Sequence, residues 1–133
     1  MNKIQKLLVE KYQGLKLDNI AIYDVKNKTP LNEFIIVVTS RTSATIAGTM
    51  EETIRVLREN KIDIHHTEYK NRSLWCLIDC GYFLVHIFAP GERERMKFDE
   101  LYSSCPHKYF SYDGKEKKEL ELEKPATDVS YWK

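Results

Sequence analysis

The chain has 133 residues, of which 31% are charged, and 21 basic against 20 acidic side chains leave a formal charge of +1. That length supports one domain able to bury a core without metal or disulfide staples, and the near-neutral balance excludes a general pull toward nucleic acid or anionic membrane. The longest apolar run, residues 82–89, is too short to cross a bilayer, and Leu7-Leu8-Val9 is cut off at once by Glu10 and Lys11, so no signal-peptide core is expected. Three cysteines at no regular spacing suit a reducing compartment. The expectation is a soluble cytoplasmic domain.

Ile4, Leu7, Leu8, Tyr12 and Leu15 recur at helical spacing, with Gly14 placed as a C-cap glycine would be. Asn19 to Val25 alternates as a strand, and Asn27-Lys28-Thr29-Pro30 is turn chemistry. Phe34 to Thr39 is apolar on both faces, the pattern of a strand inside a sheet. Ser40, Thr42 and Ser43 are helix-capping types, and Ile46, Met50, Ile54 and Leu57 follow on one helical face, with Glu51 and Arg55 spaced for an ion pair. Ile62 and Ile64 suggest a short strand, and residues 65–72 read as a polar loop.

Trp75 to Phe88 is the most informative stretch. Trp75, Leu77 and Asp79 alternate with Cys76, Ile78 and Cys80, Gly81 supplies a permissive turn, and Tyr82 to Ala89 is apolar on both faces except at His86. This is a hairpin whose second strand lies inside the sheet. Pro90-Gly91 ends it, and Glu92 and Glu94 open a helix with Phe98, Leu101 and Tyr102 as its apolar positions. The fold class is α/β (α+β): a mixed sheet of about five strands flanked by helices. From residue 105 the chain turns polar, and the Lys/Glu run of 115–124 reads as part of a charged, solvated tail (105–133); deletion of residues 106–133 should leave the fold intact. Tyr131-Trp132 could dock on a partner.

Chemistry is sparse. On a strand Cys76 and Cys80 stand roughly 13 Å apart, too far to share a zinc that each would bind near ~2.3 Å, and interior thiols are inert. No metal site is expected. No glycine-rich phosphate loop is present, and the five glycines are scattered, so no cofactor is implied. Residues 39–43 lie between a strand and a helix N-terminus, where an anion could sit, but such hydroxyls more often cap helices. His86 shares a strand face with Leu84 and Phe88. Burial statistics favour a core histidine with bonded ring nitrogens, and the alternative is a histidine at the rim of a partner face beside Trp75. Trp75 divides evenly between core and interface, and Asp79 reads as a turn residue.

The order Glu68, Trp75, Asp79, Gly81, Val85-His86-Ile87-Phe88, Arg93 and Phe98 to Tyr102, preceded by Asp24-Val25 and Phe34-Ile-Ile-Val, resembles the ribosomal silencing factor (Iojap-like, RsfS) family over about residues 2–104. The chain departs from the family pattern at Asn32, Ala44, Tyr69, Leu74, Met96 and Tyr102. The resemblance implies a nucleotidyltransferase-like fold without enzymatic activity, acting as a translation repressor. It implies binding to the fourteenth protein of the large ribosomal subunit, so that joining of the small subunit is sterically blocked, and it implies homodimers. It places Glu68, Trp75, Asp79, His86 and Phe88 on or just behind the partner-binding face. A near-neutral chain suits a protein partner better than sequence-specific nucleic acid. Two alternatives stand beside it: a ribosome assembly factor, as organellar relatives suggest, and a nucleotidyltransferase-like enzyme. The enzyme would need a Gly-Ser turn and paired carboxylates for metal ions; here Ser40 lacks its glycine and Asp63 stands alone.

Overall fold

A computed structural model describes residues 1–122. Apolar side chains on both faces of the central strands require cover on both sides, and the two covers are very different. Helix α1 (Lys3–Gly14) opens with a capping box in which Asn2 and Gln5 satisfy each other's backbone N–H groups. Gly14 is the last helical residue; the left-handed turn is made two residues on by Lys16. Strands β1 (Ile20–Asp24) and β2 (Phe34–Thr39) form an antiparallel pair. A short 3-10 turn (Ser43–Thr45) leads into α2 (Ile46–Glu59), whose Arg55 reaches Glu52 at 3.3 Å, where the spacing suggested Glu51. Strands β3 (His66–Glu68), β4 (Trp75–Asp79) and β5 (Phe83–Phe88) follow, then a single turn of helix α3 (Glu92–Arg95), a 3-10 turn (Asp99–Tyr102), and strands β6 (His107–Phe110) and β7 (Glu116–Lys117).

The sheet is mixed, in the order β3-β4-β5-β2-β1-β6-β7. Only β2 and β5 run parallel, the crossover between them being made by α2 and the β3–β4 pair. The fold class read from the sequence holds; among the described residues the strand number rises to seven. The hairpin forms as expected, with Gly81 at φ +83° and its N–H held by the Asp79 carboxylate at 2.8 Å. A side chain at Gly81 would collide with the His65 ring, 2.6 Å away.

On one face of the sheet, Ile20, Ile22, Ile36, Val38, Cys76, Ile78, Val85 and Ile87 are buried beneath α1 and α2. These two helices are joined by a buried Tyr12–Thr53 hydroxyl pair at 2.7 Å and by a Lys11–Glu52 ion pair at 3.3 Å. On the other face Tyr23, Ile35, Val37 and Phe88 meet Phe98 and Cys105 from the segment 92–105. That segment is not the helix expected over 92–102. Lys97 adopts a left-handed conformation at φ 52° and separates the α-turn from the 3-10 turn.

Two further expectations are corrected. The strand after α2 is His66–Glu68 and not Ile62–Ile64, whose side chains pack against the core from an irregular stretch. Residues 107–117 are not a solvated tail: β6 pairs with β1 from Ile20↔Phe110 to Tyr23↔His107, and β7 adds to β6. Phe110, Ser111 and Cys105 are buried, and Asn19 exchanges two hydrogen bonds with the backbone of Glu121. Residues 123–133 of the expected tail, with Tyr131 and Trp132, lie outside the described residues. Removal of residues 106–133 is therefore expected to destabilise the chain by more than about 2 kcal/mol, since burial of one large apolar side chain alone contributes about 1.5–3 kcal/mol. Urea unfolding of the truncated and full chains measures this, and equal midpoints would contradict it.

Candidate functional site

The sheet register decides which side chains share a face, because residues directly opposite each other on paired strands point the same way. The pairs Glu68↔Leu77, Leu77↔His86, Asp79↔Leu84 and Trp75↔Phe88 place all five residues singled out in the sequence (Glu68, Trp75, Asp79, His86 and Phe88) on the face opposite α1 and α2. The parallel pairs Ile35↔Leu84 and Val37↔His86 carry that face onto β2.

This face is only half covered. Over its middle lies Phe98, 5.0 Å from Phe88 and 4.7 Å from His86 between ring centroids, with Tyr102 beside it and stacked on Tyr23 at 5.4 Å. Phe88 and His86 are consequently buried. Toward the β3 edge the cover stops. Trp75, Leu77, Asp79 and Leu84 are half-exposed, and Glu68 is exposed, its carboxylate meeting His66 Nε2 at 3.1 Å. A depression of about 450 Å3 beside Trp75 is lined by Thr67, Glu68, Tyr69, Lys70 and Ser73. Leu74 is 46% exposed, and the covering segment itself exposes Met96 and Leu101. An apolar patch rimmed by polar groups is the surface expected of a protein interaction site.

Arg93 fastens the cover. Its side chain is fully buried. Nε and Nη2 donate to the two oxygens of Asp99 at 2.7 and 2.9 Å, and Nη1 donates to the Asn19 carbonyl at 2.6 Å and the Thr39 hydroxyl at 3.2 Å. Asp99 also accepts from the Tyr23 hydroxyl at 2.5 Å; burial first, and this bond second, push that phenol well above its ordinary range. Sequence reading matched Arg93 and Asp99 to the family pattern without seeing this role; an arginine six residues before an aspartate in an aromatic segment is the signal that was available.

His86 behaves as an interior group. Its Nδ1 accepts the Trp75 indole N–H at 3.0 Å. Burial first, and Arg93 second, lower its pKa from 6.5 to about 4, with Asp99 opposing. Cys76 and Cys80 are buried thiols pushed up to about 12 and so are inert. Among the described residues no group of three or more His, Cys, Asp or Glu side chains is placed to hold a metal, and no helix is long and apolar enough to cross a membrane. Where β2 and β5 end, the Ser40 hydroxyl donates to the Thr42 carbonyl at 2.7 Å, beside a cleft of about 140 Å3, below the size usual for a small-molecule pocket.

Fold and surface together define a small non-symmetric α+β domain that offers one half-open aromatic sheet face. The family model described as "Ribosomal silencing factor during starvation" matches residues 1–131, and the chain belongs to that family. It is 26% identical to the ribosomal silencing factor RsfS of Haemophilus influenzae over 74% of this chain and 96% of the relative. Its identity to the RsfS of Halalkalibacterium halodurans is 22%, over 78% and 89%. In fold it is similar to the crystal structure of a Chromobacterium violaceum protein, with TM-score 0.72 and 23% identity over 93% of each chain. A Bacillus halodurans structure superposes with TM-score 0.63 and 23% identity, over 73% of this chain and 90% of that one.

Two outcomes are expected of this site. Arg93→Met strands the Asp99 carboxylate and should cost about 3–5 kcal/mol, read by urea unfolding; a cost under about 1 kcal/mol would show that the clamp does not hold the cover. For His86, the unfolded chain takes up a proton near pH 6.5 and the folded chain only near 4. Its contribution is therefore complete above pH 6.5 and is lost as pH falls to 4, by about 3 kcal/mol. Unfolding free energies measured across that window should slope in the wild type, and the slope should flatten in His86→Asn.

Proposed function

We propose that this chain represses translation by binding the large ribosomal subunit, through its fourteenth ribosomal protein, and sterically blocking association with the small subunit. The observation that carries the reading is geometric. Five residues matched to the family pattern converge on one face, and that face is the half-covered one. Burial divides their roles: Trp75, Asp79 and Glu68 reach the surface, whereas His86 and Phe88 lie just behind it and support Trp75.

The chemistry of the face fits a protein partner. Its exposed centre is indole and leucine, with few charges, as interface cores are, and a half-buried tryptophan braced by other rings is the common form of an interface anchor. The mechanism requires no catalysis, only occupancy of a surface that the small subunit needs, and it places the protein in the cytoplasm with its target. Self-association, which the resemblance also implies, is part of the reading and is measured by sedimentation velocity.

The test is co-sedimentation with separated ribosomal subunits, together with inhibition of subunit joining. The wild type should pellet with large subunits and not with small ones. Trp75→Ala should stay folded by circular dichroism, because the ring is only partly buried, yet lose about thirtyfold or more in affinity, some 2 kcal/mol. Leu77→Glu, a charge placed on the same face at a half-exposed position, should do the same. Unfolding of Trp75→Ala would make Trp75 a core residue, and normal binding by both folded variants would move the binding face elsewhere.

A further inference from the structure

The indole of Trp75 has no hydrogen bond left to offer a partner. Its N–H, the ring's single donor, already donates to His86 Nδ1 at 3.0 Å. The two rings lie 5.7 Å apart at 30°, Phe88 stacks on the indole at 5.2 Å and 15°, and Phe98 meets its edge at 6.2 Å. Position and tilt of the indole are thus fixed by three neighbours before any partner arrives.

The imidazole is an expensive choice for that location. Because Nδ1 accepts, the proton of the neutral ring sits on Nε2. Nε2 is buried and has no hydrogen-bond partner among the described residues, and an unmet buried donor costs about 1–3 kcal/mol. An apolar side chain of similar size would avoid that cost, so what the imidazole adds here is the Nδ1 acceptor. His86 is 5% exposed and presents nothing to a partner itself. The charged groups bearing on it are Arg93 and Asp99, both from the covering segment; burial, and then the Arg93 charge, keep the ring neutral down to about pH 4 against the opposing pull of Asp99.

We propose that His86 is a positioning residue which fixes the Trp75 indole and takes up its N–H, so that the large-subunit partner receives Trp75 on apolar side chains and not through a hydrogen bond. The neighbouring half-exposed side chains, Leu77 and Leu84, are apolar as well, and Leu74 beside Trp75 is 46% exposed. This inference rests on the large-subunit reading above for its partner, and on the free protein alone for the positioning.

The experiment pairs two measurements on the full chain. Hydrogen exchange of the Trp75 indole N–H is followed by NMR, with the resonance assigned by Trp75→Phe, and affinity for purified large subunits is measured by sedimentation. In His86→Leu the indole should exchange at least tenfold faster and affinity should fall about tenfold, with circular dichroism unchanged. His86→Asn places an oxygen where Nδ1 sits and should restore both. In a Trp75→Phe background, His86→Leu should have no further effect on binding, because its route of action is gone. If His86→Leu does not fold, His86→Phe, which keeps a flat ring under Phe98, takes its place. Unchanged indole exchange in the apolar variant overturns the positioning role, and an equal loss of affinity in the Trp75→Phe background overturns action through the indole. Failure of the wild type to sediment with large subunits overturns the partner reading instead, and indole exchange then still decides the role of His86.

Discussion

The buried ion pair between Arg93 and Asp99 is the interaction on which the rest of the second sheet face depends. A guanidinium with no exposed surface must place its donors or forfeit its solvation, and Arg93 places them on Asp99, the Asn19 carbonyl and the Thr39 hydroxyl. Those partners lie at both ends of the problem: Asp99 in the covering segment, Asn19 and Thr39 at the ends of the central strands. The segment 92–105 is broken by the left-handed residue Lys97 and forms no continuous amphipathic helix of its own. It is pinned by charge where α1 and α2 are held by apolar stripes. Such a pair contributes little net energy compared with apolar packing, but it sets where Phe98 sits, and Phe98 decides which rings on the sheet are dry.

That position yields a graded surface. Phe88 and His86, under Phe98, are interior; Trp75 and Leu77 on the neighbouring β4, and Leu84 near the start of β5, are only partly buried. A tryptophan in that place is held rigidly yet remains available, which reduces the ordering cost that binding would otherwise impose. The opposite face has no counterpart, since two helices cover it and bury its strands almost completely. An asymmetric sheet of this kind favours one docking side. At two departures from the family pattern, Leu74 and Met96, the side chains are exposed and neither supports the core.

The sequence disclosed the parts of this fold that depend on side-chain period. Strand 75–79 shows the two-residue alternation of a sheet, and 34–39 and 83–88 are short apolar runs of the length of interior strands; all three formed where expected. The strands that escaped notice are short or marginal. His66–Glu68 is three residues with all side chains exposed, held by backbone pairing to β4, and nothing in its composition signals that. His107–Phe110 sits between a proline and a charged run; Tyr109 and Phe110 point to opposite faces, and their burial depends on the neighbouring β1 and not on local pattern. After Gly91 the sequence mimics a longer helix because Phe98, Leu101 and Tyr102 keep helical spacing, while the left-handed turn at Lys97 is invisible in residue types. At the site, alternation placed Trp75, Asp79, His86 and Phe88 on common strand faces, and the family resemblance selected them. What periodicity cannot express is how far a cover extends, so the division between partly buried Trp75 and buried His86 emerged only from the placement of Phe98.

The central claim is that the half-covered face, and not the helical one, meets the large ribosomal subunit. Hydroxyl-radical footprinting of side chains, with and without a saturating amount of large subunits, tests it most directly because it reads the two faces of one sheet separately. Oxidation of Trp75, Leu77 and Leu84 should fall at least several-fold in the complex, while Met50 on α2 and Leu7 on α1 keep their free-protein rates. Protection of Met50 and Leu7 with Trp75 left reactive would contradict the account.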